Sequence, residues 1–140
     1  MKIFKGYISS RRLIDGRYVP QKLQNLTIRN TCERFNVKFL LSSTEYIFNN
    51  SYSMLQDLIK NYLYKIDGVA FYSVFQLPEN KTQRNKLLRN VIKKNKELIM
   101  CNEKLHIKSK LDLDLIDNYI NISKALKNCP SKNALLNNFK

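Results

Sequence analysis

The chain has 140 residues, of which 44% are hydrophobic and 26% are charged. This composition excludes a disordered chain and predicts one globular domain that folds without a disulfide or a metal. No apolar run approaches the roughly 18 residues of a membrane span, and the N-terminus lacks the pattern of a signal peptide. We therefore expect a cytoplasmic protein with no membrane insertion.

The formal net charge is +14, and this charge has two interpretations. Such a charge favours nucleic acid or an anionic surface as a partner. However, lysine, asparagine and isoleucine are abundant and tryptophan is absent, which is the bias of an AT-rich genome, so the lysine excess is also typical of a solvated surface. Because no nucleic-acid-reading motif is present, we expect any nucleic-acid binding to be weak and non-specific.

The three cysteines are widely spaced and offer no zinc set with the single His106. We expect reduced thiols, with Cys32 and Cys101 buried as small hydrophobic residues and Cys129 near the end of the chain. The only glycines are Gly6, Gly16 and Gly68, so no glycine-rich phosphate loop is present. The sequence therefore predicts neither a metal site nor a cofactor.

The first half of the chain predicts two strand–helix units. Ile3–Ile8 alternates as a strand, and Pro20 begins a helix. Val37–Ser42 is the second predicted strand, and Asn50 or Ser51 caps the second helix. The predicted apolar stripes are Leu23, Leu26, Cys32 and Phe35 in the first helix and Met54, Leu55, Leu58, Ile59, Tyr62 and Leu63 in the second.

The second half repeats the pattern. Val69–Phe75 and Leu98–Asn102 are predicted strands, Pro78 opens a helix between them, and residues 104–108 form a short edge strand. A last helix covers Asp112–Lys127. The predicted apolar faces are Leu87, Leu88, Val91 and Ile92 in the third helix and Leu115, Tyr119, Ile122 and Leu126 in the last.

This alternation of strands and helices predicts a single α/β domain over residues 1–127, with a flexible tail at 128–140. The expected architecture is a three-layer sandwich around a mostly parallel sheet of four to five strands, joined by right-handed crossovers. The sequence leaves homo-oligomerisation open.

All four carboxyl ends of the predicted parallel strands carry polar side chains. Ligands of open α/β sheets bind at these ends, so the side chains are candidate site residues. The strand ends carry Ser9, Ser10 and Arg11; Ser43, Thr44 and Glu45; Ser73 and Gln76; and Asn102 and Glu103. One face of the first helix adds Gln21, Asn25 and Arg29, and the start of the second adds Ser51 and Tyr52.

Hydroxyls, amides, arginines and a carboxylate suit an anionic ligand rich in hydroxyl groups, such as a phosphorylated sugar or a sugar nucleotide. In this interpretation Glu45 is the catalytic acid or base and Ser10 its partner. The predicted binding residues are Ser9, Arg11, Gln21, Asn25, Arg29, Ser51, Tyr52 and Gln76. Polar loops and capping hydroxyls are the competing structural interpretation of each stretch.

Two other functions stay open. One is a basic nucleic-acid-binding module that uses the third helix. The other is a non-catalytic subunit of a sugar-modifying enzyme. The basic residues of the third helix and its end are Lys81, Arg84, Arg89, Lys93 and Lys96.

Four stretches resemble the sporadic carbohydrate cluster protein family of bacterial surface-polysaccharide gene clusters. They are GYISSR, VPQKLQNLTIRNTC, LSSTEYIFNNSYSML and IDGVAFYSVFQLPENKTQR, and the resemblance covers about Lys5 to Ile107. It implies a role in O-antigen or capsule biosynthesis, with no established reaction.

The chain also resembles the catalytic domain of serine recombinases of the resolvase type, which begins with a strand of the form GYxRVS followed by a helix. This resemblance implies a resolvase-like or flavodoxin-like fold. It departs at the recombinase site, because Ser9 stands where an arginine belongs and Arg11 stands where the nucleophilic serine belongs. The Asp-Arg-Leu-x-x-Arg run is replaced by Phe75-Gln76-Leu77-Pro78, so the resemblance concerns the fold and not the activity.

Overall fold

A computed structural model describes residues 1–48 and 50–128. Within them, five strands form one sheet in the order β2-β1-β3-β4-β5. Strands β1 to β4 are parallel, and β5 is antiparallel to β4. The strands are β1 Ile3–Ile8, β2 Lys38–Thr44, β3 Gly68–Phe71, β4 Glu97–Met100 and β5 Leu105–Ile107.

Four α-helices connect and flank the strands. The second of them is interrupted, because it continues as a π turn at Leu58–Tyr62 and a 3₁₀ turn at Leu63–Lys65. A further 3₁₀ turn lies at Val74–Gln76. The helices are α1 Gln21–Arg34, α2 Ser53–Asp57, α3 Lys81–Lys93 and α4 Leu113–Asn128.

The strands bury side chains on both faces of the sheet. In β1, Phe4 and Ile8 pack with Ile28 of α1, whereas Tyr7 packs on the opposite side with Leu55 and other residues of α2, α3 and α4. The alternation continues through β3 and β4, because successive strand residues point to opposite faces. The predicted three-layer α/β sandwich is therefore confirmed, with α1 on one face and the other three helices on the other.

Local side-chain hydrogen bonds correct several predicted boundaries. The third strand ends at Phe71 and not at Phe75, because the Ser73 hydroxyl accepts from the Phe75 N–H and starts the 3₁₀ turn. Likewise α3 begins at Lys81 and not at Pro78, since the Asn80 side chain caps it by accepting from the Gln83 N–H at 2.9 Å.

The predicted apolar stripes of the first and last helices are wrong in part. Leu23 and Leu26 are about half exposed, and α1 instead buries the face that carries Gln24 and Ile28. In α4 the predicted stripe of Leu115, Tyr119, Ile122 and Leu126 is 40–61% exposed, while Leu113, Ile116 and Ile120 are buried. In both helices, the face that packs toward the sheet carries a buried polar side chain. That side chain has hydrogen-bond partners in the core.

Cys32 and Cys101 are free thiols in the core, as predicted. No helix within residues 1–48 and 50–128 is long and apolar enough to cross a membrane. Cys129 and the rest of the predicted tail lie outside the described residues, apart from Asn128, which ends α4.

Candidate functional site

A cleft of about 520 Å³ lies at the carboxyl end of β1. The loop that follows β1 forms one wall, and the segments that precede α2 and α3 form the other. Arginines, an amide and a carboxylate line it together with apolar side chains, which is the composition that a polar organic ligand requires. The lining residues are Arg11, Arg12, Leu13, Ile14, Asn50, Tyr52, Phe75 and Glu79.

Arg11 is held rigidly in this cleft. Its guanidinium donates to the backbone oxygens of Ser51 at 2.9 Å and Gln76 at 3.1 Å, and to the Tyr7 hydroxyl at 3.2 Å. The guanidinium carbon also lies 4.3 Å from the centre of the Tyr52 ring, a cation–π contact. These bonds use three of the five N–H donors of an arginine. The Nε–H and one Nη1–H have no hydrogen-bond partner among the described residues.

Tyr7 and Tyr52 both contact the guanidinium of Arg11. Burial raises the pKa of the Tyr7 hydroxyl well above its ordinary value, although the Arg11 guanidinium acts in the opposite direction. The pKa of Tyr52 is also raised, again chiefly by burial. Both phenols therefore stay protonated, and the Tyr7 hydroxyl donates a hydrogen bond to the Glu45 carboxylate at 2.9 Å.

Glu45, the predicted acid or base, lies behind the cleft and is 3% exposed. A carboxylate has about four acceptor positions, and five donors surround this one, so no position is left for a substrate. None of its hydrogen bonds reaches Ser10, the predicted partner. The arrangement is that of a carboxylate that caps the start of α2. Its donors are the hydroxyls of Tyr7 and Ser51 and the N–H groups of Tyr46, Met54 and Leu55.

Ser9 and Gln76 belong to a buried amide network that joins the ends of β1 and β3. Gln24 of α1 is its centre: its side-chain oxygen accepts from the Ser9 N–H at 3.1 Å and the Gln76 amide at 2.7 Å, and its nitrogen donates to the Ser9 carbonyl at 2.7 Å. The Gln76 oxygen accepts in turn from the Tyr72 N–H. The network contacts the cleft through the Gln76 carbonyl, which accepts from Arg11. Gln24 was missed from the sequence, because a glutamine on a helix carries no sign of burial.

The three residues predicted on one face of α1 do not line the cleft. Asn25 accepts a hydrogen bond from the Ser42 hydroxyl at 2.6 Å, and Gln21 is half-buried at the start of the helix. Arg29 is exposed and lies eight residues further, about 12 Å along the axis. Ser10 is half-buried beside Arg11, and no side-chain hydrogen bond of Ser10 is found in the part of the chain that the structure describes.

The carboxyl ends of β3 and β4 bind each other. Glu103 accepts from the Ser73 hydroxyl at 2.7 Å, the Val74 N–H at 2.9 Å and the Asn102 amide at 3.3 Å. These polar groups satisfy one another and form no part of the cleft. The four strand ends were predicted to meet in one pocket. The cleft is instead formed at the end of β1, with residues from the loops beside it.

Six of the eight lining residues were missed: Arg12, Leu13, Ile14, Asn50, Phe75 and Glu79. Arg12 was recognisable as the second residue of an arginine pair. The other five enter the cleft through loop geometry, which leaves no pattern in the sequence. Among the described residues, no group of three or more His, Cys, Asp or Glu is placed to hold a metal ion.

The basic face proposed for the third helix is also altered. Arg84 is 1% exposed and pairs with Asp117 of α4 at 2.7 Å, so it cannot contact a nucleic acid. One of the five basic residues named for that face is therefore buried, while Lys81, Arg89 and Lys93 are exposed.

No family model matches the sequence, and no curated protein matches it. Solved structures do match the fold of this chain. The N-terminal catalytic domain of TP901-1 integrase superposes with a TM-score of 0.57 at 21% identity, over 88% of this chain and 93% of that one. A resolvase family site-specific recombinase from Streptococcus pneumoniae superposes with a TM-score of 0.58 at 13% identity, over 96% and 97%. The fold is resolvase-like. At these identities the similarity establishes the fold alone, which agrees with the predicted resemblance to the recombinase catalytic domain.

Proposed function

We propose that this protein is a cytoplasmic component of bacterial surface-polysaccharide biosynthesis that binds an anionic sugar or a sugar nucleotide in the cleft at the end of β1. The observation that carries the proposal is Arg11, whose guanidinium is held in place by three hydrogen bonds and the Tyr52 ring while two donors remain for a ligand. The setting rests on the four stretches that resemble the sporadic carbohydrate cluster family.

The chemistry of the cleft supports a ligand with both phosphate and hydroxyl groups. Arg11 and the exposed Arg12 provide planar donors that match phosphate or carboxylate oxygens. Asn50 and Glu79 can bind sugar hydroxyls, and Phe75 offers an apolar surface for the ring.

The same cleft supports binding rather than catalysis. Among the described residues that line it, the one carboxylate is Glu79, whose side chain is 66% exposed and lies 3.8 Å from Lys124. Glu45 is enclosed by its own five donors. The protein then serves as a carrier or as the non-catalytic partner of a sugar-modifying enzyme.

Calorimetric titration with UDP-glucuronic acid, UDP-N-acetylglucosamine and glucose 1-phosphate tests the proposal, with neutral glucose as the reference. The variant Arg12→Ala should bind the anionic ligands roughly tenfold or more weakly, because it loses one charge-assisted hydrogen bond to the ligand. Arg29→Ala removes the same charge from an exposed position outside the cleft and should leave the affinity unchanged.

Two results would contradict the proposal. One is an equal loss of affinity in both variants, which would mean that net charge and not the cleft attracts the ligand. The other is the absence of binding across the whole panel by the folded wild-type protein.

A further inference from the structure

A second, longer depression lies beside the cleft. It has a volume of about 810 Å³ and runs between the end of α2 with its π turn and one face of α3. The side chains of Ile59 and Leu87 form its apolar floor and are almost fully buried. We call it the α2–α3 groove. Single π turns within helices are frequent at functional sites, and this one contributes Ile59 and Lys60 to the lining of the groove.

The α2–α3 groove is lined by cations and amides. Lys60, Lys86 and Lys94 supply three positive charges, and within residues 1–48 and 50–128 no carboxylate lines the groove. Lys94 also bridges the two walls, because its ammonium lies 3.5 Å from the carbonyl oxygen of Ile59. The side-chain amides of the lining include those of Gln56, Gln83 and Asn90. The charge of the groove is therefore complementary to an anionic ligand.

The groove begins where the cleft ends. Tyr52 lines the cleft and Gln56 lines the groove, and the two residues lie on successive turns, since the Gln56 N–H donates to the Tyr52 carbonyl at 2.8 Å. On the other wall, Glu79 of the cleft is followed directly by Asn80 of the groove. From Asn80 to Lys94 the groove follows α3 for about 21 Å. A ligand held at Arg11 could therefore extend into it.

The composition of the lining selects the class of ligand. Single-stranded nucleic acids are bound by aromatic side chains on which the bases stack, and none of the described residues that line this groove is aromatic. Amides alternating with lysines match a chain that carries hydroxyl and carboxylate groups at short intervals. We propose that the α2–α3 groove binds an extended acidic glycan strand whose end lies in the cleft. This inference rests on the proposed function and extends it from a single sugar to an oligosaccharide.

The linear hexamer of galacturonic acid is a suitable probe, with UDP-glucuronic acid as the probe for the cleft alone. In the triple variant Lys60→Gln, Lys86→Gln and Lys94→Gln, affinity for the hexamer should fall roughly tenfold or more, and affinity for the sugar nucleotide should not change. The matched control is Lys22→Gln, Lys38→Gln and Lys108→Gln, which removes the same charge from exposed positions outside the groove. All six lysines are exposed, so thermal melts should confirm that both variants fold.

Each alternative result has a distinct meaning. Equal weakening by the two triple variants would overturn the groove and assign the binding to net charge. Tighter binding of poly-glutamate or oligo-deoxythymidine than of the hexamer, lost only in the groove variant, would overturn the glycan as ligand. Failure of the sugar nucleotide to bind, with selective loss of the hexamer in the groove variant, would reject the cleft and confirm the groove.

Discussion

Two arginines of this molecule, Arg11 and Arg84, donate hydrogen bonds to backbone carbonyls of the same loop. Arg84 is 1% exposed, and its guanidinium donates to the Asp117 carboxylate and to the carbonyl oxygens of Pro78 and Glu79. Arg11 is half-buried and donates to the carbonyl of Gln76 in the same loop. Both arginines therefore fix the backbone of loop 76–79, which carries Glu79 of the cleft.

The two arginines differ in whether N–H donors of the guanidinium remain without a protein partner among the described residues. Arg84 is enclosed by protein and its charge is balanced by Asp117, so its contribution is to stability and to the position of the cleft wall. Arg11 keeps two donors and lies at the cleft, so it can exchange solvent for a ligand. The cost of removing an ionic group should therefore follow its burial, and three substitutions test this gradation.

Arg84→Ala should have the largest effect. It leaves Asp117 buried without its partner and frees two loop carbonyls, which should lower the free energy of unfolding by about 3–5 kcal/mol. Urea denaturation followed by circular dichroism measures the loss. Arg89→Ala, an exposed arginine of the same helix, should stay within about 0.5 kcal/mol of the wild type. Similar urea midpoints for the two variants would contradict the expectation that the cost of removing an arginine follows its burial.

Glu45→Gln should have an intermediate effect. The amide keeps the shape of the carboxylate but loses the charge, and it turns an NH₂ group toward groups that are themselves donors. A loss of about 1.5–3 kcal/mol is expected, because hydrogen bonds to a charged group contribute about that much. Glu33→Gln, on the exposed side of α1, is the control. A variant with unchanged stability and altered ligand binding would instead return Glu45 to the ligand site.

The strands and their order follow patterns that the sequence displays. β1 and β2 are segments of strand length that contain apolar residues, and the right-handed crossover rule predicts them as neighbours, which their parallel register confirms. Arg11 was within reach of the same reasoning, because side chains that follow a parallel strand lie at the ligand-binding edge. Tyr52 was predicted from its place at the start of the second helix.

The buried polar contacts could not be predicted from the sequence, since their energies depend on partners far away in the chain. α4 carries two apolar stripes, and the less obvious one is buried because Asp117, on that side, meets Arg84. Gln24 is buried because it satisfies backbone groups of Ser9 and Val19. Glu45 resembles a catalytic residue until its donors are counted.

The smallest effect is expected at Glu97, which lies at the start of β4 and binds Lys2 and His106. Burial alone would raise the pKa of Glu97, but the hydrogen bonds and charges of these two partners outweigh it and hold the pKa below its ordinary value. Lys2 is about half exposed, so the contribution of the cluster is screened by solvent and should be at most about 1 kcal/mol.

The sign of the pH dependence follows from the lowered pKa. The stabilisation is fully present above the pKa of the unfolded carboxyl, about 4.3, and is lost as the pH falls through the lower pKa of the folded chain. Glu97→Gln should therefore be slightly less stable than the wild type at pH 7, and the two should converge in acid. Asp112, whose pKa is lowered chiefly by the Lys108 N–H, adds the same acid dependence to both proteins and cancels in the difference. Urea midpoints measured from pH 7 down to about 2.5 test this, and a difference that stays constant with pH would mean that Glu97 acts through packing and not through its charge.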